Sequence, residues 1–440
     1  MHKDSQQTIC VVGLGYIGMP TAAIFASRGM RVIGVDTNPK VLEAIVDGSF
    51  HYVEPDLDML VQASVSSGNL KIQAGPQNAD VFLIAVPTPV SRNHEADLSC
   101  LDSAIASIAP FLQKGNLIII ESTVPVGTTE KLSALLETLR TDLLFPHEGA
   151  QEQQQKCDIH IAFCPERVLP GQMLKELVGN DRVIGGITKA CAEIAQSCYA
   201  IFVRGQIKLT DARTAEMCKL AENAFRDVNI AFANELSMVA AKHDIRINEL
   251  IELANRHPRV NILQPGCGVG GHCIAVDPWF LINVAPQESH LMRAARQVNT
   301  DKTQWVLSKA LQALDQIRTM RQEESKKKNQ QLAEQDILQI KVACLGITYK
   351  ADVDDLRESP ALAIVEQLAK DATLQISVVE PNIQVLPRSM EEKNVKLKPL
   401  KEALDQSDLV LVLVDHSEFK NHNYTQMSTQ VLVDIQGIWS

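Results

Sequence analysis

"TICVVGLGYIGMPTAAIFASRGMRVIGVD", Thr8 to Asp36, constrains this chain more than any other stretch. An apolar run, Ile9 to Val12, meets Gly13, Gly15 and Gly18 in G-x-G-x-x-G spacing, with Tyr16 and Ile17 inside the motif. An Ala-rich helical segment follows, then a second apolar run, Val32 to Val35, which ends in Asp36. Each glycine has its own task in a dinucleotide site. Gly13 permits the tight turn, Gly15 lets the backbone approach a pyrophosphate, and Gly18 lets the helix pack close to the strand. Asp36 lies 18 residues past Gly18, where a carboxylate binds a ribose 2'-hydroxyl and repels a 2'-phosphate. NAD is therefore expected over NADP. The bland alternative is a Rossmann-like fold without phosphate, in which the glycines serve packing alone.

Further apolar runs at Val81 to Val86, Leu117 to Ile120 and Ile159 to Cys164 predict more strands of the same sheet. Each ends in a polar or Pro-containing turn: "PTP", "ESTVPVGTT" and "CPERVLPG". Ligands of open parallel sheets lie beyond the carboxyl ends of the strands, so Thr123 and Glu166 are candidates by position. Their ordinary alternatives are a helix cap and a surface carboxylate.

The C-terminal part alternates strand and helix again, with strands expected at Val342 to Leu345, Ile376 to Val379, Leu409 to Val414 and Val431 to Ile435. Lys350 and Arg357 sit in its first turn, where cations near a helix N-terminus could hold phosphate or could be plain surface charge. No second G-x-G-x-x-G appears there. The fold class expected is α/β, with two Rossmann-like doubly wound domains joined by a central long-helix region, to which the family resemblance carried by the motifs adds the role of dimerisation. The boundaries expected are 1–205 for the NAD domain, 206–317 for the central helices, 318–337 for a charged linker and 338–440 for the second Rossmann-like domain.

The middle carries two long helical patterns. Thr214 to Asp244 holds no Gly or Pro and is apolar around much of its circumference, through Leu220, Ala224, Phe225, Val228, Phe232, Leu236 and Val239. Such a helix belongs in a core or a subunit interface. Lys219 and Asn223 fall one turn apart on it; the bland reading is a snorkelling Lys beside a solvated Asn. A second helix is expected from His290 to Ile317, followed by the highly charged Arg318 to Asp336, a solvated helix extension or linker.

Between the two helices, "GCGVGGHCIAVDP" packs four glycines and two cysteines into eight residues and ends in Asp277 and Pro278. It could cradle phosphate, hold metal or present a nucleophile. A zinc site from Cys267, His272 and Cys273 is disfavoured, because adjacent His-Cys in a glycine-rich loop lacks separated ligand pairs, and no metal is expected. The glycines are expected to let the backbone approach a ligand and to leave Cys273 accessible.

A formal net charge of -11 argues against nucleic-acid and anionic-membrane binding. No apolar run reaches the roughly 20 residues that span a bilayer, and the polar start is not expected to act as a signal peptide. Ten scattered cysteines without a C-x-x-C pair suggest reduced thiols in a cytoplasm.

Taken in order, "GLGYIG", "ESTVPVGT", "CPERVLPG", "KLAENAFRDVNIAFANE", "GVGGHCIAVDP" and "GITYKADVDDLRESP" resemble the UDP-sugar 6-dehydrogenase family over nearly the whole chain. The resemblance implies a four-electron oxidation of the sugar's carbon 6, with two NAD reduced per turnover. It makes Cys273 the nucleophile, Lys219 and Asn223 oxyanion stabilisers, Asp277 and Thr123 the water's orienters, and Glu166 an acid–base group. Cys267 is then a small spacer. Thr88 and Thr123 join the motif residues on the cofactor. Arg167, Val168, Gly270, Lys350 and Arg357 fall to the UDP-sugar side, and Arg259 to a reach across a homodimer or higher oligomer. UDP-glucose members typically carry C-F-P-K-D around the cysteine, whereas Val276 stands here in place of that Lys. This departure implies a 2-acetamido sugar, and "NRHPRVNILQPG", "GGHCIAVDPWF" and "DDLRESPA" resemble the members that act on N-acetyl-D-mannosamine for bacterial surface polysaccharides, with N-acetyl-D-glucosamine as the alternative.

Overall fold

A computed structural model describes residues 7–439 apart from 49–53, 55, 92, 148–156, 170, 328–338, 392 and 428–429. The chain divides into two compact units. One is Met1–Glu222 with Trp279–Pro286, and the other is Asn223–Pro278 with Gln287–Ser440.

The first unit is built on an eight-stranded sheet: β1 (Thr8–Val12), β2 (Arg31–Val35), β3 (Leu70–Gln73), β4 (Val81–Ile84), β5 (Leu117–Ile120), β6 (His160–Phe163), β7 (Arg182–Gly186) and β8 (Ile207–Asp211). The order is β3-β2-β1-β4-β5-β6-β7-β8, parallel except where β6 meets β7. The first six strands follow the dinucleotide-binding order, which switches direction between β1 and β4. Burial on both faces explains the unbroken apolar runs. Ile9, Val11, Leu83 and Ile119 enter one core layer, and Cys10, Val12, Ile84 and Ile120 enter the other.

The second unit contains a five-stranded parallel sheet: β9 (Ile340–Leu345), β10 (Leu374–Val379), β11 (Val395–Leu397), β12 (Leu409–Val412) and β13 (Val431–Asp434). Its order, β11-β10-β9-β12-β13, repeats the first half of the other sheet. The repeat extends to the first turn. Gly13 and Gly346 both have positive φ, and their N–H groups donate to Val35 and Val379, each at 2.8 Å. Asp36 accepts from Leu14 N–H at 2.9 Å, and Glu380 accepts from Ile347 N–H at 2.9 Å. The two acids then diverge. Glu380 is also bound by His416 at 3.1 Å in a buried pair. Burial alone would push the Glu380 carboxyl up, but the His416 hydrogen bond and charge, with backbone donors, hold it below the ordinary carboxylate range.

Two long helices connect these sheets in the chain, Ala212–Lys242 and His290–Lys327. The second runs ten residues past the expected end at Ile317. Arg318 pairs with Asp371 at 3.0 Å and Arg321 with Asp408 at 2.6 Å, so the charged stretch remains helical and tied down as far as Lys327. The remainder of the expected linker, 328–337, lies outside the described residues. Higher up the same helix, Arg296 and Asn299 each bind Asp227 at 2.7 Å, and Lys302 donates to Ser237 at 2.6 Å. Burial pushes the Lys302 ammonium down to about 8. Among the described residues, no helix is long and apolar enough to cross a membrane.

Candidate active site

In the first unit the glycine turn performs the division of labour its spacing suggests. A Cβ on Gly13 would strike the Ala85 carbonyl, and one on Gly18 would strike the Gly13 carbonyl. A Cβ on Gly15 would meet nothing within 4 Å, which leaves open the space a pyrophosphate needs. The following helix, Gly18–Ser27, has no side-chain cap at Ile17, so its N-terminus presents the positive end of its dipole unshielded. Tyr16 donates to Glu54 at 3.3 Å, and Glu54 in turn accepts from Gly171 N–H and from Met173 N–H. Asp36 is half-buried at the end of β2, with Leu14 and Asn38 N–H groups fixing its two oxygens. This turn, helix end and acid fit a dinucleotide. Asp36→Asn is expected to raise the KM for NAD about tenfold or more, as charge-assisted bonds of about 1.5–3 kcal/mol weaken, with kcat within about twofold. Initial rates against NAD concentration check this.

Thr88 and Thr123 lie beyond β4 and β5, and the Thr88 hydroxyl donates to the Thr123 carbonyl at 2.6 Å. Ser122 ties the same two strand ends together by accepting from Val86 N–H at 2.9 Å and donating to Val86 C=O at 2.7 Å. The helix-cap alternative for Thr123 does not hold. Buried Glu216 instead accepts from Gly127 N–H at 2.5 Å and from Thr129 N–H at 2.8 Å.

Glu166 is not a surface carboxylate. It is buried, accepting from Arg167 N–H at 2.7 Å and from Arg182 at 3.0 Å. Arg182 also faces Glu121 at 3.9 Å and stacks over the Tyr199 ring at 4.7 Å. Burial, partly offset by Arg182, pushes the Glu121 carboxyl up to about 7. Arg167 binds Glu222 at 2.7 Å, and Val168 packs against the core. Lys219 is half-buried on the long helix.

In the second unit, three of the expected residues come together. The Cys273 carbonyl accepts from Val276 N–H at 3.0 Å and Asp277 N–H at 2.8 Å, a single helical turn that sets Asp277 above Cys273. Asn223, buried rather than solvated, donates from Nδ2 to Asp277 Oδ2 at 2.5 Å. Cys273 is half-buried, whereas Cys267 is fully packed, donates to the Leu413 carbonyl at 3.2 Å, and is pushed up to about 12 by burial. Burial thus disfavours a thiolate at Cys267.

Three glycines of this loop also have a reason inside the protein, beside the approach to a ligand expected of them. A Cβ on Gly271 would fall 2.8 Å from the Tyr349 ring; one on Gly270 would fall 2.8 Å from Pro360; one on Gly268 would fall 2.6 Å from the Thr303 hydroxyl. They let the loop lie against the first turn of the second sheet. That turn carries Arg357, exposed and bidentate to Asp355 at 2.7–3.1 Å. The Asp355 bond leads in raising the Arg357 pKa, with Tyr349 and Cys273 also contributing. His272 faces Asp355 at 3.7 Å, which agrees with a local shaping role. Lys350 and Arg259 are exposed, Lys350 on the same turn and Arg259 in the segment after helix Ile247–Ala254. Sequence reasoning missed Tyr349 and Asp355, which lie within a quoted motif, and Arg182, which lies outside all of them; none carries a spacing signal of its own.

Three family models cover the chain: the NAD binding, central and UDP binding domains of the UDP-glucose/GDP-mannose dehydrogenase family, over residues 7–203, 213–301 and 343–440. Fold and models together define the class, an NAD-dependent oxidoreductase acting on UDP-sugars. The chain belongs to the UDP-glucose/GDP-mannose dehydrogenase family. It is 55% identical to a UDP-N-acetyl-D-mannosamine dehydrogenase of Campylobacter jejuni, over 93% of this chain and 96% of the relative. It is 50% identical to an NDP-N-acetyl-D-galactosaminuronic acid dehydrogenase of Ralstonia nicotianae, over 99% and 96%. The solved UDP-D-ManNAc dehydrogenase of Pyrococcus horikoshii superposes with a TM-score of 0.83 at 38% identity, covering 98% of this chain and 96% of that one.

Proposed function

We propose that this protein oxidises UDP-N-acetyl-D-mannosamine at carbon 6 to the uronate, through covalent catalysis at Cys273. The observation that carries the chemistry is the Cys273, Asp277 and Asn223 cluster, and the similarity to mannosamine dehydrogenases supports the sugar. NAD held at Gly13 to Gly18 and Asp36 would supply the hydride acceptor for each of two oxidations. After the first, carbon 6 is an aldehyde. The Cys273 thiolate adds to it, and the oxyanion that forms is stabilised by the Lys219 ammonium and an Asn223 N–H. Asn223 can do this while holding Asp277, because Nδ2 carries two protons. Loss of the second hydride leaves a thioester on Cys273. Asp277 and Thr123 orient the water that hydrolyses it, returning the thiol and a carboxylate. The sum is R–CH2OH + 2 NAD+ + H2O giving R–COO− + 2 NADH + 3 H+.

Glu166 entered as an acid–base group. Its two engaged oxygens support a positioning part instead, fixing the turn that carries Arg167 and Val168. Arg167, Val168, Gly270, Lys350 and Arg357 are proposed for the UDP-sugar. Gly13, Gly15, Tyr16, Ile17, Gly18, Asp36, Thr88 and Thr123 are proposed for NAD.

A homodimer is proposed through the helix Ala212–Lys242. Phe225, Phe232 and Val239 recur every seven residues and are 69%, 56% and 52% exposed, an apolar stripe suited to a second copy. Arg259 would reach the partner's sugar nucleotide. Replacing both Phe225 and Phe232 with Glu is expected to weaken self-association at least about a hundredfold and to give monomers by light scattering. The unbridged cysteines support work in a reducing cytoplasm, and a UDP-linked uronate suits surface-polysaccharide synthesis.

The Ralstonia relative favours a second reading, a galactosamine-configured substrate, and N-acetyl-D-glucosamine remains the other alternative. Purified protein is assayed with the UDP forms of N-acetylmannosamine, N-acetylglucosamine, N-acetylgalactosamine and glucose. The proposal expects the highest kcat/KM with the first and two NADH per sugar. One NADH per sugar would refute the four-electron scheme, and a preference for another sugar would replace the substrate.

A further inference from the structure

Outside the catalytic cluster, the first unit holds a second grouping of soft ligands. Cys157 and His160 form a C-x-x-H pair leading into β6, and Cys191 comes from the first turn of the helix Lys189–Tyr199. The His160 Nδ1 lies 3.7 Å from the Cys157 sulfur and 4.0 Å from the Cys191 sulfur, and all three atoms fall within 4.8 Å of one another. Zinc bonds of about 2.3 Å to sulfur and about 2.05 Å to nitrogen, at the tetrahedral angle, put sulfur about 3.6 Å from nitrogen. Both sulfur–nitrogen distances are thus within a few tenths of an ångström of those around one ion.

The geometry points to a site for one zinc-class divalent cation on Cys157, His160 and Cys191, with water as fourth ligand. The supporting groups are already oriented. The Thr188 hydroxyl donates to the Cys191 sulfur at 3.1 Å, as a group holding a ligating thiolate does. The Cys191 N–H returns to Thr188 Oγ at 3.3 Å, which caps the helix, and the helix N-terminus favours anionic sulfur. The His160 backbone is pinned by β6 and by its N–H to the Asn116 carbonyl at 2.9 Å. Cys191 is buried, while Cys157 and His160 are half-buried, which leaves a side open for water. Two thiolates neutralise a divalent charge. His160 begins β6, at the amino end of the strand, whereas the glycine turn lies past the carboxyl end of β1, parallel to it through β4 and β5. The ion is therefore structural: it clips the entry of β6 to the helix that follows β7.

The test is cobalt(II) titration of the reduced full-length chain carrying Cys273→Ser, which removes the accessible catalytic thiol. One equivalent is expected to give thiolate-to-cobalt charge transfer with intense tetrahedral d–d bands, both abolished by zinc. Cys191→Ala and the loop variant Cys157→Ser are each expected to weaken binding at least about tenfold, while Cys100→Ala changes nothing. Circular dichroism confirms that each variant is folded. Weak six-coordinate bands without charge transfer, or an unchanged spectrum in both ligand variants, would overturn the site. So would a Cys157–Cys191 disulfide in the isolated protein that takes up no cobalt after reduction.

Discussion

Cys273→Ala is expected to stop uronate formation, lowering the rate at least about a thousandfold, while NAD affinity stays unchanged. In the proposed mechanism the thiolate holds the aldehyde as a tetrahedral adduct, the species able to release a second hydride. Without it the aldehyde has no covalent anchor, and its oxidation depends on chance hydration and on not diffusing away. The residues proposed to hold the cofactor, Gly13 to Gly18 and Asp36, are not touched by the substitution. Cys267→Ala, which alters a sulfur bonded to the Leu413 carbonyl, should keep the wild-type two NADH per sugar. Uronate is quantified by mass spectrometry and NAD binding by fluorescence titration. Full turnover by the Cys273 variant would end the covalent mechanism.

The largest expected loss of stability comes from Arg182→Met. Arg182 is 4% exposed and sits among Glu121, Glu166, Tyr199 and Cys164. Met preserves most of the volume but leaves two carboxylates buried without their cation. Breaking such a cluster from one side costs about 3–5 kcal/mol, because the desolvation remains when the attraction has gone. Adding Glu121→Gln and Glu166→Gln should recover part of that loss, since neutral amides need no counter-charge. Denaturant midpoints of the first unit's transition measure both. If the single and triple variants lose the same amount, packing rather than charge explains the role of Arg182.

The interior strands were legible because burial on both faces demands unbroken apolar runs, as in "VFLI" and "LIII". The strands missed were short or polar: β3 reads "LKIQ", β8 "IKLTD" and β11 "VKL". Three of these four-to-five-residue or shorter segments sit at sheet edges, where one flank faces water and Lys, Gln and Asp are tolerated. β7, "RVIGG", was hidden by its glycines and by an Arg whose partners lie up to 61 residues away at Glu121. At the candidate site, spacing within one helical turn was readable, as for Cys273 with Asp277. The contact between Asn223 and Asp277 joins residues 54 apart and was not. The packing of the glycine-rich loop was hidden for a similar reason: its partner, Tyr349, lies more than seventy residues downstream in the sequence.

The shared first turn of the two sheets has one more consequence. Asp36 and Glu380 descend from the same place in the same topology, yet one stays available and the other is enclosed by His416. Grafting G-x-G-x-x-G onto the stretch that begins at Gly346 would therefore not produce a second dinucleotide pocket. The acid proposed to read ribose in one sheet is matched in the other by an internal strut, and removing that strut would loosen the turn it supports. One ground plan thus presents a half-buried carboxylate at one turn and an enclosed one at the other.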